Sequence, residues 1–348
     1  MSKTSIVGVD FGKGVLRAVE VGDPSGSRPV ILRHRQVPLP PGSVLGGEVR
    51  SVDQVADTLR SLWSEAGFKS KKVVLGMGNQ RVLVRELAIP RMPLERVREA
   101  LPFQVQELLP VPVADALLDF YPIAEGEADG AEVINGLLVA AVRGAVEANV
   151  EAVLRAGLEP VGVDLIPFAL SRLLLPLGDD THSALVHIGA STTSVVFVAS
   201  GVPQFVRIIP AGGDDVTRAL VSRFDVDAAE ADDMKRQMGL RNKPKQKDRN
   251  AAEVMFEVTG ELLTSLRNTF AFYLNTRSLA ALDRIVLSGG GAELNGLAEA
   301  LGEVSRLRID VVDPAAAFTL AEPLDREAFD AERGDYAVAL GLTLGSAA

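Results

Sequence analysis

Two glycine turns, each set between runs of β-branched and other apolar residues, constrain the fold of this chain more than any other feature. The first lies in Val7–Gly14 and leads into Val15–Val21, and the second lies in Leu185–Thr193 and leads into Ser194–Val198. Apolar runs joined by a short glycine-containing segment are typical of β-hairpins. Two such hairpins in one chain predict two related halves that face a common cleft.

The two turns also share a pattern that suits phosphate binding. When Gly12 is aligned with Gly189, Asp10 falls opposite His187. Glycine lets the main chain turn tightly and approach a ligand, such turns present N–H groups to phosphates, and a neighbouring aspartate can hold a hydrated Mg²⁺. A third glycine cluster, Ser288–Ala292, could complete such a site. Each turn alone is compatible with an ordinary hairpin, whereas the three clusters together favour a nucleotide site.

The composition excludes several classes of site. The 348 residues include no cysteine, which excludes disulfides, thiolate metal sites and cysteine nucleophiles, and the 3 histidines show no metal-ligand spacing. The length predicts two lobes or more, and the net charge of −10 argues against nonspecific nucleic-acid binding. Residues 1–12 lack the apolar core of a signal peptide, and no apolar run is long enough to span a membrane. A cytoplasmic protein without a membrane span is therefore expected.

One basic stretch, Lys235–Arg249, departs from the acidic balance of the chain. It is either a contact for an anionic lipid or an acidic partner, or a solvated loop between two helices. The asparagine and the proline inside it suit a loop.

Between the two hairpins, the pattern changes near Val82 and predicts an α+β insertion over 82–160. A strand over Val82–Pro90 leads into a helix that contains Pro102. Strands are predicted over 116–123 and 136–142, separated by a polar, turn-rich connector at 125–130. The apolar stripe of the helix consists of Leu94, Val97, Leu101, Val105 and Leu108.

Three further expectations concern helices. Ser51 and Gln54 have the spacing of a capping box at the start of a helix. An apolar stripe with helical period predicts a long helix over about 252–279. A closing helix is predicted from Tyr336 onward.

Seven stretches in chain order carry a resemblance to one known family. They are Val9–Gly12 with Val19–Val21, Arg85–Pro93, Leu109–Pro112, Leu138–Ala141, Ala156–Asp164, Ile188–Thr193 and Ser288–Leu297. Together they resemble the PilM family of type IV pilus assembly proteins, relatives of the division protein FtsA within the actin-like fold. Each stretch has modest specificity, but the ordered set covers nearly the whole chain.

The resemblance implies an α/β, ribonuclease H-like duplicated fold with two lobes and ATP between them. An FtsA-type insertion, called subdomain 1C, is expected in the first lobe. In the first lobe, the implied core (1A) covers 1–81 and 161–182 and is completed by a helix over 336–348, and subdomain 1C covers 82–160. In the second lobe, the implied core (2A) covers 183–223 and 283–335, and subdomain 2B covers 224–282.

The resemblance also implies roles for particular residues. Asp10 would lie near Mg²⁺ and act through water, and the main chain of Gly12, Lys13 and Gly14 would lie near the β- and γ-phosphates of ATP or ADP. Asp232 and Lys235 would contact ribose or base. The remaining implied nucleotide-binding residues are Gly189, Ser191, Thr192, Thr193, Gly212, Gly213, Gly289, Gly290 and Gly291.

Three departures from the family pattern affect these expectations. His187 stands where the family usually has an aspartate, and a neutral histidine is no hard-oxygen ligand for Mg²⁺. Alternatively, His187 is a strand residue packed under the turn, and in either case slow or absent hydrolysis is expected. Lys13 and Gly14 replace the usual Ser or Thr, and Lys13 either supplies a charge to phosphate or points to solvent. Asp232 is one methylene shorter than the usual Glu.

The implied function is a nucleotide-binding scaffold in pilus assembly, held at the inner face of the cytoplasmic membrane through its partners. The partners would be the N-terminal cytoplasmic tail of a PilN-like protein, other pilus assembly proteins and a second copy of the chain. The tail would lie in a groove lined by Leu94, Val97, Leu101 and Val105; alternatively, these residues pack only on their own sheet.

Two other functions remain open at this stage. One is an FtsA-like membrane-associated filament former, which is disfavoured because the segment Ala337–Ala348 has no basic face. The other is a small-molecule kinase, which needs a carboxylate base at a substrate hydroxyl. No second carboxylate is expected in the cleft beside Asp10.

Overall fold

The two glycine turns are the tips of two β-hairpins, one at the start of each of two large sheets. The computed structural model describes residues 4–176, 178, 181–240, 249–276, 281–322 and 324–345. Strand β1 (Ser5–Phe11) pairs antiparallel with β2 (Val15–Gly22). In the second half, His182–Ile188 pairs in the same way with Thr193–Ala199. Both predicted hairpins are confirmed.

The first lobe is built on a six-stranded sheet in the order β10-β6-β1-β2-β3-β16. The hairpin provides two antiparallel strands, and β6 and β10 extend the sheet as parallel strands. Helices α1 and α3 pack on one face of this sheet, where their apolar side chains share a core with β1 and β2. The bounds of the elements not yet given are β3 (Val30–Pro38), β4 (Val44–Leu45), β5 (Glu48–Val49), α1 (Val52–Ala66), β6 (Lys72–Met77), α3 (Arg143–Arg155), β10 (Glu159–Leu165), α4 (Ile166–Leu174), β16 (Thr319–Leu320), α9 (Arg326–Glu332) and α10 (Ala337–Thr343).

The second lobe is built on a five-stranded sheet in the order β13-β12-β11-β14-β15. Its core is mainly aliphatic and includes aromatic side chains of this sheet and of α7, with Phe197 stacked on Tyr273 at a centroid distance of 3.9 Å. The bounds of its elements are β11 (His182–Ile188), β12 (Thr193–Ala199), β13 (Val202–Ile209), α5 (Gly213–Phe224), α6 (Ala228–Met238), α7 (Arg249–Thr276), β14 (Arg284–Ser288), α8 (Leu297–Ser305) and β15 (Arg308–Val311).

The insertion forms a three-stranded sheet, in the order β7-β9-β8, covered by one helix. Its elements are β7 (Val82–Pro90), α2 (Leu94–Gln104), β8 (Ala116–Ala128) and β9 (Ala131–Val142). The predicted end of the insertion at 160 is therefore wrong, because α3 packs on the first-lobe sheet and β10 pairs with β6. The predicted connector at 125–130 is wrong in extent, because β8 and β9 continue through most of it and turn at Asp129–Gly130, with φ of 52° and 77°. An Asp-Gly pair at positive φ suits a two-residue hairpin turn.

The C-terminal part of the chain returns to the first lobe, which corrects the predicted end of the second lobe core at 335. Strand β16 pairs in parallel with β3. The ring of His34, on β3, lies 4.9 Å from Phe329 and 5.1 Å from Tyr336 between centroids. Residues 319–322 and 324–336 therefore belong to the first lobe, and the chain crosses between the lobes a second time before Thr319.

Two buried helices, α4 and α10, join the lobes. Leu170 on α4 and Leu340 on α10 are fully buried, in one cluster with strand residues of both sheets such as Leu185. Helix α10 lies directly on β1: a Cβ at Gly8 would collide with the main-chain carbonyl of Ala339. The predicted closing helix is confirmed over 337–343, and its predicted last residues, 346–348, lie outside the described part of the chain.

A buried carboxylate fixes the first sheet to the loop before β6. Glu20 on β2 has no solvent exposure. It accepts hydrogen bonds from the Ser5 hydroxyl at 2.9 Å and from the main-chain N–H groups of Lys69 at 3.1 Å and Ser70 at 3.0 Å, and it pairs with Arg33 at 3.1 Å. A buried charge is tolerated when it is paired and hydrogen-bonded in this way.

The other helix expectations have mixed outcomes. Helix α1 begins after Ser51, but no side-chain hydrogen bond caps it, so the capping box with Gln54 is wrong. Helix α7 begins at Arg249, earlier than predicted, and is described to Thr276; the predicted residues 277–279 lie outside the described part. Most of the basic stretch Lys235–Arg249, residues 241–248, also lies outside the described residues.

Candidate functional site

The three glycine clusters meet in one cleft of about 260 Å³ between the lobes. The first turn enters from the first lobe, and the second turn and the third cluster enter from the second lobe. Of the predicted residues, the cleft is lined by Asp10, Gly12, Lys13, Gly189, Ser191, Thr192, Gly213, Lys235, Gly289, Gly290 and Gly291. The predicted residues Gly14, Thr193, Gly212 and Asp232 lie outside this lining.

Asp10, the next-to-last residue of β1, lines the cleft. Burial raises the pKa of Asp10 from 3.8 to about 6, while the Arg17 guanidinium lowers it and the Asp335 carboxylate raises it. Arg17, on β2, donates to Asp335 at 3.1 Å and to the Gln36 side chain at 3.2 Å. A cation and two carboxylates therefore lie together at the first-lobe wall.

The second turn is closed by its own main chain. The Gly189 N–H donates to the carbonyl of Thr192 at 2.9 Å, which leaves Ser191 and Thr192 at the cleft. Thr193 is fully buried, and its hydroxyl donates to the Ala211 carbonyl at 2.7 Å. The prediction that Thr193 faces the ligand is therefore corrected: it fixes the turn from behind.

The start of α5 packs on the second turn. The N–H groups of Gly213 and Asp214 donate to the carbonyls of Gly189 and Ala190, each at 2.9 Å. A Cβ at Gly212 would lie 2.5 Å from the Ala190 oxygen and 2.6 Å from the Gly189 oxygen. Gly212 therefore permits the close approach of helix and turn, and only Gly213 lines the cleft.

His187 lies where the aligned position in the first lobe carries Asp10. Burial lowers the pKa of His187 from 6.5 to about 4. Its Nδ1 lies 3.2 Å from the hydroxyl of Ser288 on the neighbouring strand. The imidazole is therefore neutral at physiological pH, and it both lines the cleft and packs between strands.

Lys13 reaches across the cleft. Its ammonium pairs with Asp214 at the start of α5, and the two side chains are 53% and 15% exposed. The ammonium therefore does not simply point to solvent, and the interpretation that Lys13 supplies charge to a phosphate stays a prediction.

Helix α6 brings one further cation to the cleft. The Lys235 ammonium lies 2.9 Å from the Thr217 hydroxyl and pairs with Asp232 at 2.6 Å. Asp232 also pairs with Arg236 at 2.7 Å. Asp232 thus holds Lys235 in place and lies behind the lining of the cleft.

The third cluster forms the start of a short 3₁₀ helix over Gly290–Glu293, preceded by Gly289 at φ 94°. The first N–H groups of a helical segment have no partner within it. Such groups on Gly290 and Gly291 are suited to hydrogen bonds with an anion.

Sequence reasoning missed several lining residues. They include Arg17, Gly46, Gly47, Gly78, Asn79, Ile166, Asp214 and Asp335. Two of them correct the expectation that the cleft holds no carboxylate besides Asp10. Asp214 and Asp335 are each paired with a cation, so neither is a free base. The pair Asp214-Asp215 was visible in the sequence as two acidic residues beside a glycine pair.

The predicted stripe of the insertion has two environments. Val97, Leu101 and Val105 are at most 1% exposed and form a core with the strands of their own small sheet. They therefore pack as the alternative interpretation states and do not line an open groove. Leu94 is 51% exposed, and Phe103 on the same helix is 85% exposed.

The residues of the cleft fit a phosphate ester better than a bare metal ion. Lys13, Arg17 and Lys235 provide positive charge beside three glycine clusters. The part of the chain that the structure describes contains no group of three or more His, Asp or Glu side chains placed to hold a metal. Among the described residues, no helix has the length and apolar composition needed to cross a bilayer.

Comparisons with known proteins agree with this architecture. A sequence model of the family described as type IV pilus assembly protein PilM matches residues 8–347. A solved PilM–PilN type IV pilus biogenesis complex contains a chain that is 29% identical, with 99% of each chain covered and a TM-score of 0.85. The cell division protein FtsA of Bacillus subtilis strain 168 is 20% identical in an alignment 309 residues long, with 77% of this chain and 70% of FtsA covered.

A more distant structure supports the fold alone. MreB5 of Spiroplasma citri bound to AMPPNP is 12% identical, with 98% of this chain and 95% of that chain covered and a TM-score of 0.54. The predicted actin-like two-lobed fold is confirmed.

Proposed function

Because the chain belongs to the PilM family of type IV pilus assembly proteins, we propose that it is a nucleotide-binding scaffold that holds a PilN-like partner. The match to the PilM chain of a PilM–PilN complex supports the partner. We place the chain in the cytoplasm, at the inner face of the membrane, where it would bind the N-terminal cytoplasmic tail of that partner. It would be held there through its partners.

The proposed nucleotide binding rests on one observation: three glycine clusters lie together with Lys13, Arg17 and Lys235 in one cleft. Glycine turns offer N–H groups to phosphate oxygens, and the cations offset the phosphate charge. The ligand would be ATP or ADP. Asp10 would hold Mg²⁺ through water, and the ion would supply further charge neutralisation when bound.

The same cleft supports binding without rapid hydrolysis. His187 is neutral and cannot replace a carboxylate toward Mg²⁺. The apolar side chain of Ile166 lines the cleft between the lobes. Asp214 and Asp335 are engaged by cations. The cleft would therefore bind and orient the phosphates but activate water poorly.

Calorimetry with ADP or ATP and Mg²⁺ tests the nucleotide half directly. Binding at micromolar to millimolar nucleotide is the expected result, and heat changes no larger than those of dilution at millimolar nucleotide would refute it. His187→Asp should raise the slow rate of phosphate release. An unchanged rate in a folded His187→Asp variant would show that the missing carboxylate is not what limits hydrolysis.

A fluorescent peptide with the sequence of a PilN-like N-terminal tail tests the partner half. We propose that exposed Leu94 contributes to the contact, so Leu94→Asp should weaken binding at least about tenfold, the loss of ~1.4 kcal/mol of apolar contact. Leu154→Asp is the matched control, because Leu154 is a similarly exposed leucine on another helix. Equal affinities for wild type and Leu94→Asp would remove Leu94 from the contact, and no binding by wild type would refute the partner half.

A further inference from the structure

The ion pair between Lys13 and Asp214 joins the two lobes across the cleft in which phosphates would bind. Lys13 lies on the first glycine turn, and Asp214 is the second residue of α5, which packs on the second turn. The pair can form only while the two turns face each other closely. It therefore belongs to the closed arrangement of the cleft.

The charge of Asp214 needs its partner more than the charge of Lys13 does, because Asp214 is the less exposed of the two side chains. The Asp214 side chain is 15% exposed, whereas that of Lys13 is 53% exposed. The Oδ2 atom of Asp214 is buried and accepts no hydrogen bond from the described residues, so the Lys13 ammonium compensates its charge. Removing the partner of a buried charge is strongly unfavourable.

A phosphate bound beside Lys13 would also lie beside Asp214. The two anions repel each other, and each is stabilised by the same ammonium. The other cations of the cleft each already share their charge with a carboxylate, since Arg17 pairs with Asp335 and Lys235 pairs with Asp232, so they offset the phosphate charge only in part. When a phosphate takes up the Lys13 ammonium, a second positive charge is therefore needed to compensate the carboxylate of Asp214.

From this geometry we infer that Asp214 is a specificity-determining residue of the cleft, which opposes metal-free nucleotide and favours the nucleotide complexed with a divalent cation. Asp214 competes with the phosphates for Lys13, and a cation that arrives with the phosphates relieves this competition. The inference rests on the proposed nucleotide binding and names the form of the ligand.

The test is calorimetry with ADP in EDTA and with ADP in Mg²⁺, for wild type, Asp214→Asn and Asp233→Asn. Asp233 is an exposed acid of the same lobe and controls for the change in net charge. Asp214→Asn should bind metal-free ADP about tenfold more tightly than wild type, and the gain in affinity on adding Mg²⁺ should shrink by a similar factor. Asp233→Asn should match wild type in both buffers.

Asp214→Ser provides a second variant if Asp214→Asn does not fold, because serine also suits the first turn of a helix. Thermal melts followed by circular dichroism verify the fold of each variant. Wild-type affinity for metal-free ADP in a folded Asp214 variant, or an unchanged effect of Mg²⁺, would overturn the inference. If wild type binds no nucleotide even with Mg²⁺, the proposed nucleotide binding itself fails, which is a different result.

Discussion

Replacing the buried imidazole of the second lobe should change how the stability of the protein depends on pH. Burial lowers the pKa of His187 from 6.5 to about 4, so the folded state holds this proton less tightly than the unfolded chain. Above pH 6.5, His187 is neutral in both states and its titration does not lower the free energy of unfolding. As the pH falls from 6.5 toward 4, the unfolded chain binds the proton first and the free energy of unfolding decreases. The loss is about 2 kcal/mol by pH 5 and about 3 kcal/mol below pH 4.

Asp10 titrates in the same window with the opposite sign. Its pKa in the folded protein is raised from 3.8 to about 6, so protonation of Asp10 stabilises the fold as the pH falls from 6 toward 3.8. The two effects are of similar size and offset each other in wild type. The difference between wild type and a His187 variant therefore isolates the histidine.

The assay is urea unfolding followed by far-UV circular dichroism, without nucleotide or Mg²⁺, at intervals from pH 7 to pH 4.5. His187→Gln keeps a polar side chain but cannot titrate, so it should gain about 2 kcal/mol relative to wild type between pH 7 and pH 5. Nuclear magnetic resonance of the histidine ring protons should give His187 a pKa near 4 in wild type. Parallel stability curves for the two proteins would refute the reasoning from burial.

Two further predictions concern packing. Glu20→Gln should lower the free energy of unfolding by about 2 kcal/mol, because a neutral amide weakens the hydrogen bonds that the buried carboxylate accepts and the ion pair with Arg33. Glu65→Gln, at an exposed pair, should cost less than about 1 kcal/mol, and urea unfolding measures both. Gly212→Ala should separate α5 from the second glycine turn and weaken both stability and ADP affinity. Gly260→Ala, where a Cβ meets nothing within 4 Å inside a helix, should raise the melting temperature, and a destabilised Gly260→Ala would contradict this comparison.

Local patterns in the sequence were enough to predict the hairpins, because a strand pair joined by a short turn needs only adjacent residues. They failed for α4, whose residues Ile166–Leu174 are apolar on nearly every side and buried between the lobes. In so short and largely apolar a run, periodicity does not distinguish a helix from a buried strand. They also failed for β16, since its partner β3 lies nearly 290 residues earlier in the chain and no turn links them.

The candidate site was predictable to the extent that it consists of glycine clusters. Turn chemistry identified the first two turns and the third cluster, and the resemblance to a family placed them in one cleft. Arg17 and Asp335 were missed because their pairing depends on the return of the C-terminal segment to the first lobe. Val97, Leu101 and Val105 illustrate the opposite error, since an apolar stripe alone does not distinguish a binding groove from a core.

The position of α10 on β1 has a consequence for synthesis on the ribosome. Strand β1 leaves the exit tunnel before α10 does, and the helix that packs on Gly8 is made more than 300 residues later. At ~5–20 residues per second, that face of the strand stays uncovered for on the order of tens of seconds. The nascent first lobe therefore exposes this face of β1 until α10 is made, and chaperones that recognise apolar surface have that interval in which to engage it.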